Sequence, residues 1–259
     1  MTGRESEAAA TPGLRPHGSP PLYFRFAGLA ALGLPHVTTT RHCPGVTPST
    51  QPTAPFNEYA RATLATAGLD LSHVSYARQV HGADIAPAPP RGGFAGAADV
   101  LSTTERGVPL AVFTADCLPI VLWDPEVRAL VIAHVGWRGT VKGAQRAAVN
   151  ALKALGGRAA RARAVIGPSI GPCCYEVDAP VMAAFAAAYG PRWEAWASPA
   201  AAEHVMLDLW LANETLLAEA GVQPAHIENP RFCTACRTDV CFSYRAGHRG
   251  RLVTVAALP

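Results

Sequence analysis

Three short segments of the sequence each carry one side chain that can bind a transition metal. The segments are residues 78–82 (RQVHG), 114–119 (TADCLP) and 134–139 (HVGWRG), and their metal-binding residues are His81, Cys117 and His134. Three protein ligands that leave a fourth coordination position open are typical of a catalytic rather than a structural zinc site. If these three side chains meet in the fold, they predict metal-dependent chemistry.

The apolar runs around two of these residues indicate how they could meet. Residues 108–114, 119–123 and 129–134 are short apolar runs of the kind that form buried strands. The Asp-Pro pair at 124–125 is a turn signal between two of them, which favours an antiparallel pair. Cys117 and His134 each follow an apolar run, so they converge at one sheet edge if their strands are neighbours. His81 must arrive from a separate segment.

The donor types leave the identity of the metal open. One thiolate and two imidazoles suit zinc, and they also suit copper, which binds such sites still more tightly. Zinc would activate water or polarise a substrate atom, and it can bring the pKa of a bound water to about 7. Beside the ligands, Asp116 could orient a ligand, move a proton or cap a turn. Arg138 could bind a phosphate or a carboxylate, or lie free on the surface.

The seven cysteines do not predict a disulfide framework, because their number is odd and no export signal precedes them. Cys233 and Cys236 form a C-x-x-C pair, with Cys241 nearby, but a fourth metal ligand is not obvious. The adjacent pair Cys173 and Cys174 is poorly suited to a disulfide. We therefore expect packing or loop thiols here rather than a second metal site.

Composition and secondary-structure patterns predict one soluble α+β domain. The chain has 259 residues, of which 49% are hydrophobic and 16% charged, as in a folded globular protein. A net charge of +3 and the lack of a basic face with interleaved aromatics argue against nucleic acid, and no apolar run is long enough to span a membrane. We expect a flexible tail over 1–20, one catalytic domain over 21–259 and a cytoplasmic location. Further predicted elements are helices at 56–67, 139–155, 178–188 and 208–220 and strands at 162–166, 226–229 and 251–256.

Taken with residues 167–171 (GPSIG), 175–177 (YEV) and 242–245 (FSYR), the three metal-binding segments resemble the YfiH-like, laccase-domain family. Members of this family were once called polyphenol oxidases and are now regarded as purine nucleoside enzymes. The resemblance runs from about residue 61 to 251. The loop at 38–45 departs from the family, which has a Gly/Ser-rich loop with an Asn-Leu pair there, so substrate preference is left open.

The resemblance implies an α+β fold with mixed β-sheets packed between helices, and Zn²⁺ held by His81, Cys117 and His134. The activities that it implies are phosphorolysis of adenosine, inosine, guanosine and methylthioadenosine, together with deamination of adenosine. Arg61 matches a family arginine near the substrate, although Ala60 replaces the asparagine that precedes it in the family.

Our leading hypothesis is therefore a zinc-dependent purine nucleoside phosphorylase with adenosine deaminase activity. Cys117 would be a catalytic metal ligand, Asp116 or Glu176 would carry the proton when water attacks the purine, and the phosphate would be held by Arg61, Arg138 or Arg245. The alternatives are a copper-dependent polyphenol oxidase, a cytoplasmic amide hydrolase that acts on peptidoglycan precursors with Cys117 as nucleophile, and a structural zinc module. The sequence does not indicate an oligomeric state.

Overall fold

Two large β-sheets stacked face to face form the centre of the molecule. The computed structural model describes residues 12–47, 55–201 and 203–259. In spatial order, the seven-stranded sheet contains β1 (Leu14–His17), β2 (Tyr23–Phe26), β3 (His36–Thr39), β16 (Leu252–Ala256), β8 (Leu110–Thr114), β4 (Ser75–Arg78) and β6 (Gly93–Ala97). The six-stranded sheet contains β15 (Ile227–Glu228), β11 (Arg163–Ile166), β9 (Leu118–Asp124), β10 (Ala129–Val135), β7 (Val100–Thr103) and β5 (Ile85–Pro87). Both sheets mix parallel and antiparallel pairs.

Helices cover the outer faces of this pair of sheets. They are α1 (Ala27–Ala31), α2 (Glu58–Ala65), α3 (Trp137–Lys142), α4 (Ala144–Ala154), α5 (Ala179–Tyr189) and α6 (Leu209–Glu219), with 3-10 turns at Leu71–His73, Gly190–Trp196 and Pro224–His226. A small third sheet joins β12 (Glu176–Val177), β14 (Val205–Leu207) and β13 (Ala197–Pro199). Among the described residues, no helix is long and apolar enough to cross a membrane.

The alternation of side chains along each central strand explains the layers. In β9, Leu118, Ile120 and Leu122 pack towards the helices, whereas Val121 and Trp123 enter the space between the two sheets. Successive strand residues point to opposite faces, so an apolar run buries both of its faces only when another layer covers each of them.

Strand β8 divides its side chains in the same way on the other sheet. Leu110 and Val112 join the core between the sheets, while Ala111 and Phe113 pack with Leu64 of α2. The order of layers is therefore the helices α4 to α6, the six-stranded sheet, the seven-stranded sheet and α2. This arrangement confirms the predicted α+β domain with mixed sheets between helices.

Most of the predicted elements are present, within a few residues of their predicted ends. The strands β8, β9, β10, β11, β15 and β16 and the helices α2, α5 and α6 lie where the patterns placed them. Helix α2 begins at an Asn57 side chain that accepts a hydrogen bond from the Ala60 N–H. Helix α6 begins in the same way at Asp208, which accepts from the Leu211 N–H.

Two predictions were wrong in part. The single helix predicted over 139–155 is two helices, α3 and α4, separated by Gly143 in the left-handed conformation with φ of 81°. The flexible tail predicted over 1–20 does not hold for Leu14–His17, which form β1 and pair with β2. The rest of that prediction falls largely on residues 1–11, which lie outside the described residues.

Gly143 sets the break between α3 and α4 through its backbone alone, because a Cβ at this position would meet nothing within 4 Å. We expect Gly143→Ala to lower the free energy of unfolding by about 1–2 kcal/mol, the cost of a left-handed alanine. Gly143→Asn should lose less, since asparagine tolerates this conformation better. Urea unfolding of the two variants measures the difference, and equal losses would contradict a backbone origin.

Candidate functional site

The three metal-binding side chains lie on or next to different strands and meet at one edge of the stacked sheets. His134 lies on β10 of the six-stranded sheet, and His81 follows β4 of the seven-stranded sheet. Cys117 lies between β8 and β9, where the chain crosses from the seven-stranded sheet to the other. The candidate ligand atoms of the three residues all lie within 4.8 Å of one another. The structure therefore brings the predicted set together.

Antiparallel pairing accounts for the meeting of Cys117 and His134. In the register of β9 and β10, Leu118 is opposite Val135 and Pro119 is opposite His134, so the residue before β9 adjoins the end of β10. The sequence predicted this convergence from the strand that precedes Cys117. That strand, β8, belongs to the other sheet, and it is the strand after Cys117 that pairs with β10.

A buried aspartate that the sequence analysis missed holds both histidines. Asp99 is only 1% exposed, and its Oδ1 accepts hydrogen bonds from His134 Nδ1 at 2.8 Å and from the His81 N–H at 3.0 Å. Its Oδ2 accepts from the N–H groups of Val80 at 3.1 Å and Gly82 at 2.7 Å. Because His134 uses Nδ1 for Asp99, its Nε2 is left for a metal, as in carboxylate–histidine–zinc arrangements.

Asp99 also explains how His81 is presented. The backbone of His81 is left-handed, with φ of 56°, a conformation that is uncommon for residues other than glycine. Three successive N–H groups around His81 converge on the Asp99 carboxylate and stabilise this turn. No motif marks Asp99 in the sequence. Only the pairing of β7 with β10, which sets the Asp99 carbonyl to accept from the His134 N–H, reveals it.

The site favours a thiolate at Cys117. Burial raises the pKa of this thiol, but the charge of His134 and hydrogen bonds with His134 and His81 outweigh burial and lower the pKa to about 6. Burial likewise opposes a charge on His134, while Cys117 and Asp99 raise its pKa. Burial also acts against ionised Asp99, but hydrogen bonds from His134 and Gly82 hold its pKa below the usual value. A thiolate is the form of cysteine that binds metals.

Space for the ligand set depends on Gly136. A Cβ on Gly136 would lie 2.8 Å from Cys117 Sγ and 3.5 Å from His81 Cδ2. Any larger residue would therefore push into the gap between the two ligands. This fit supports a site shaped for an ion among His81, Cys117 and His134.

Asp116 lies next to Cys117, and its carboxylate already accepts three hydrogen bonds. Oδ1 accepts from Thr234 Oγ1 at 2.6 Å, and Oδ2 accepts from Ser243 Oγ at 3.1 Å and from the Arg245 N–H at 2.7 Å. Its backbone is left-handed, with φ of 87°, immediately before Cys117. Asp116 therefore connects the crossover that carries Cys117 to two later loops. The structure favours this positioning role over proton transfer.

Glu176, the other predicted proton carrier, points elsewhere. Its carboxylate pairs with His204 Nδ1 at 2.8 Å, and both side chains are largely exposed. Glu176 borders a neighbouring pocket with Asp178 and His204, and it is not among the residues that line the cavity at the metal ligands. Only its backbone carbonyl reaches towards that cavity, where it accepts from the Arg245 guanidinium at 2.9 Å.

The metal-binding set opens into a cavity of about 800 Å³. Four of the lining side chains are aromatic and four are arginines; they are Phe113, Trp137, Tyr175, Tyr244, Arg138, Arg245, Arg249 and Arg251. Of the described residues that line it, Asp116 is the only acidic one. Within the part of the chain that the structure describes, no carboxylate lies within 4 Å of these four guanidinium groups. The cavity therefore suits an anion together with a flat, partly apolar group.

The three arginines predicted to bind phosphate do not all lie in the cavity. Arg138 and Arg245 line the cavity, where Arg138 stacks over Trp137 at 4.3 Å and Arg245 lies 5.3 Å from the ring centre of Tyr175. Arg61 lies on α2 beside a separate surface pocket, and its Nε donates to the Phe56 carbonyl. The structure thus does not bring Arg61 to the metal ligands. Arg249 and Arg251, which the sequence analysis missed, come shortly after the FSYR segment and line the cavity.

Comparison with known proteins gives one family and consistent relatives. Residues 54–259 match the family described as multi-copper polyphenol oxidoreductase laccase. Purine nucleoside phosphorylase ORF3 of Streptomyces griseus is 39% identical over 183 residues, which are 69% of this chain and 71% of the relative. Adenosine deaminase RL5 from an unknown prokaryotic organism is 34% identical over 197 residues, which are 72% of this chain and 75% of the relative.

A solved structure supports the same relationship. The crystal structure of the hypothetical protein YfiH of Bacillus licheniformis matches with a TM-score of 0.83 and 25% sequence identity, over 96% of this chain and 100% of that chain. The resemblance that the motifs indicated is therefore confirmed, and so is the fold that it implied.

Substitution of Asp99 tests whether its carboxylate holds both histidines in position for a metal. We expect Asp99→Asn to weaken zinc binding by about 10- to 100-fold, because an amide cannot accept all four hydrogen bonds and leaves the His134 ring poorly oriented. The nearby exposed Asp84 is a matched control, and Asp84→Asn should bind zinc like the unchanged protein. Competition with a chromogenic chelator measures both affinities. Equal affinities in the two variants would contradict the role of Asp99.

Proposed function

The chain belongs to the family described as multi-copper polyphenol oxidoreductase laccase, and we propose that it is a zinc-dependent purine nucleoside phosphorylase that also deaminates adenosine. One observation carries this proposal: the His-Cys-His set opens into a cavity that combines aromatic side chains with four arginines free of carboxylate partners among the described residues. The names of the relatives agree with both activities. Adenosine, inosine, guanosine and methylthioadenosine as substrates, and the cytoplasm as the compartment, are parts of the same proposal.

The donor set fits zinc. His81, Cys117 and His134 supply two imidazoles and one thiolate, Asp99 fixes the free nitrogen of His134, and Gly136 leaves room between the ligands. Zinc bound there would act as a Lewis acid and as an activator of water. His81 is exposed to the cavity, so a fourth position is accessible to substrate, as catalytic zinc requires.

Copper chemistry fits the cavity less well, although the family description names copper. Reduction of oxygen to water takes up several electrons, and among the described residues the cavity holds one group of three donors. Copper sites of the electron-transfer type add a weak axial ligand such as methionine. No methionine is among the described residues that line this cavity.

The arginines suit the phosphate of phosphorolysis. In that reaction, a phosphate oxygen forms a bond to ribose C1′ while the bond from C1′ to the purine nitrogen breaks, and the products are ribose 1-phosphate and the free base. Guanidinium groups bind phosphate oxygens in pairs and neutralise their charge. Arg138, Arg245, Arg249 and Arg251 line one cavity with the metal ligands, so they could hold phosphate beside a nucleoside.

The aromatic side chains suit the purine. Trp137 and Tyr175 border the cavity next to Arg138 and Arg245, and flat rings of this kind stack on heterocycles. Burial, with a smaller effect of the Cys117 charge, raises the pKa of Tyr175, so its phenol stays neutral and can donate a hydrogen bond. Neutral donors and stacking surfaces are what an uncharged base needs for binding.

An amide hydrolase is a second candidate because Cys117, His134 and Asp99 also have the order of a nucleophile, a base and an orienting acid. The Cys117 sulfur and a ring nitrogen of His134 lie within 4.8 Å of each other, and His134 Nδ1 lies 2.8 Å from Asp99 Oδ1 on the other side. Such an enzyme would act on an amide in a peptidoglycan precursor through the thiolate. Its activity would not require a metal, which separates it from the zinc proposal.

Incubation of zinc-loaded protein with adenosine and phosphate tests the proposal. We expect adenine and ribose 1-phosphate from phosphorolysis and inosine from deamination, resolved by chromatography. Both should be lost after chelation, return with zinc, and be missing from Cys117→Ala, which lacks the thiolate ligand. No turnover above that variant would sink the proposal, and amide hydrolysis that survives chelation would favour the second candidate.

Substitution of a cavity arginine tests whether these arginines bind phosphate. We expect Arg249→Ala to raise the KM for phosphate about tenfold or more, because a hydrogen bond to a charged group contributes about 1.5–3 kcal/mol. Arg61→Ala is the matched control, since Arg61 lies outside the cavity, and its kinetics should not change. Steady-state kinetics at varied phosphate measure both. A larger rise in the KM for phosphate in Arg61→Ala than in Arg249→Ala would contradict this assignment and favour Arg61 as the phosphate-binding residue.

A further inference from the structure

A second group of metal-binding side chains lies outside the His-Cys-His set. Cys173, Cys174, Cys233 and Cys236 have sulfur atoms that all lie within 4.8 Å of one another. Cys236 Sγ is 3.4 Å from the sulfur of Cys173 and also 3.4 Å from that of Cys174. The sequence predicts packing or loop thiols here, because a fourth ligand is not obvious from it. The fold brings the adjacent pair to the C-x-x-C pair, so that four candidate ligands meet.

Backbone pairing between two distant segments holds the four cysteines together. Ser169 and Cys233 form a parallel bridge, in which the Ser169 N–H donates to the Phe232 carbonyl and the Thr234 N–H donates to the Ser169 carbonyl. The meeting of the segments is therefore built into the main chain. It does not depend on the conformation of exposed side chains.

The turn that carries the adjacent pair is equally well defined. The N–H groups of Cys174 and Tyr175 both donate to the Gly171 carbonyl, which closes a tight turn. A Cβ on Gly171 would lie 2.4 Å from the ring of Trp210, so this turn packs directly on a buried side chain. The two cysteines are thus presented together on one side of the turn, facing Cys236.

We propose that these four cysteines bind a structural zinc ion, separate from the candidate catalytic site. Tetrahedral zinc with sulfur ligands has Zn–S distances of about 2.3 Å, which places the sulfurs about 3.8 Å apart. The observed separations of 3.4 Å and at most 4.8 Å bracket that spacing. Four thiolates fill all four positions, so the site is closed and holds the fold rather than a substrate.

A backbone hydrogen bond supports a thiolate at Cys233. The Gly171 N–H donates to Cys233 Sγ at 3.3 Å, a hydrogen bond that stabilises a negatively charged sulfur. A single disulfide would join only two of the four sulfurs, and Cys236 lies equally close to two of them. Tetrahedral sulfur ligation is characteristic of zinc or of iron–sulfur centres, and zinc binds four thiolates directly, without inorganic sulfide.

Such an ion would hold the loop of Cys173 and Cys174 against the loop of Cys233 and Cys236, on one side of the cavity. Thr234, between the paired cysteines, donates to Asp116 Oδ1 at 2.6 Å, and Asp116 adjoins the ligand Cys117. On the other loop, Tyr175 follows Cys174 and lines the cavity. The inference does not depend on the proposed nucleoside reaction, because it concerns only the ligation of the four cysteines.

Zinc content per chain tests the proposal. The full chain, purified under reducing conditions and loaded with zinc, is freed of excess metal and analysed by inductively coupled plasma mass spectrometry. We expect about two ions per chain in the unchanged protein and about one in Cys236→Ser, since a site that loses one of four thiolates binds far less tightly. Cys43→Ser removes a buried thiol outside both clusters and should keep the full content. A Cys236→Ser variant with unchanged zinc would overturn the proposal.

Two further measurements guard against a variant that does not fold. Cys173 is exposed, so Cys173→Ser should fold, keep its circular dichroism spectrum and lose the same ion. Cobalt loading of Cys117→Ser should still give intense sulfur-to-metal charge-transfer absorption, which the added change Cys236→Ser should abolish. Iron instead of zinc, a disulfide within the group found by alkylation under denaturing conditions, or no cobalt–sulfur absorption in Cys117→Ser would each overturn the structural zinc site.

Discussion

The buried carboxylate of Asp99 is the interaction on which the candidate metal centre depends. A carboxylate can accept about four hydrogen bonds, and Asp99 receives four, three from successive backbone N–H groups around His81 and one from His134 Nδ1. His81 follows a strand of one sheet and His134 lies on a strand of the other. One side chain therefore fixes two ligands that no continuous element connects. Because every acceptor position is used, Asp99 is free for no other role and acts as a fixed support.

Asp116 positions Cys117, just as Asp99 positions His81 and His134. The chain must turn sharply where it leaves one sheet and enters the other, and Asp116 takes up a left-handed conformation at that point. Such a conformation costs of order 1–3 kcal/mol in a residue with a side chain. Three hydrogen bonds to its carboxylate, from Thr234, Ser243 and the Arg245 backbone, offset that cost. Cys117 is thus held by contacts that the chain makes more than a hundred residues later.

What the sequence predicted well depends on local patterns. The apolar runs around Cys117 and His134 identified β8, β9 and β10, because alternation and turn residues are written within a few positions. Asp99 was not predicted as a site residue, because a lone aspartate forms no sequence pattern and its role follows from the register of β7 with β10. The four-cysteine group was not predicted either, because it forms through pairing between segments about sixty residues apart in the chain. Gly143 was hidden in a run of residues that otherwise favours one continuous helix.

The candidate metal ligands and three of the four cavity arginines lie on different kinds of structure. His134 lies on a strand, and His81 and Cys117 directly adjoin strands, whereas Arg245, Arg249 and Arg251 lie in a stretch without helix or strand just before β16. Exposed connecting stretches accept substitution and changes of length far more readily than paired strands do. A lineage could therefore exchange one substrate for another by editing that stretch while the reactive centre stays intact. The architecture therefore keeps the stretch that is most open to change apart from the strands that hold the candidate metal ligands.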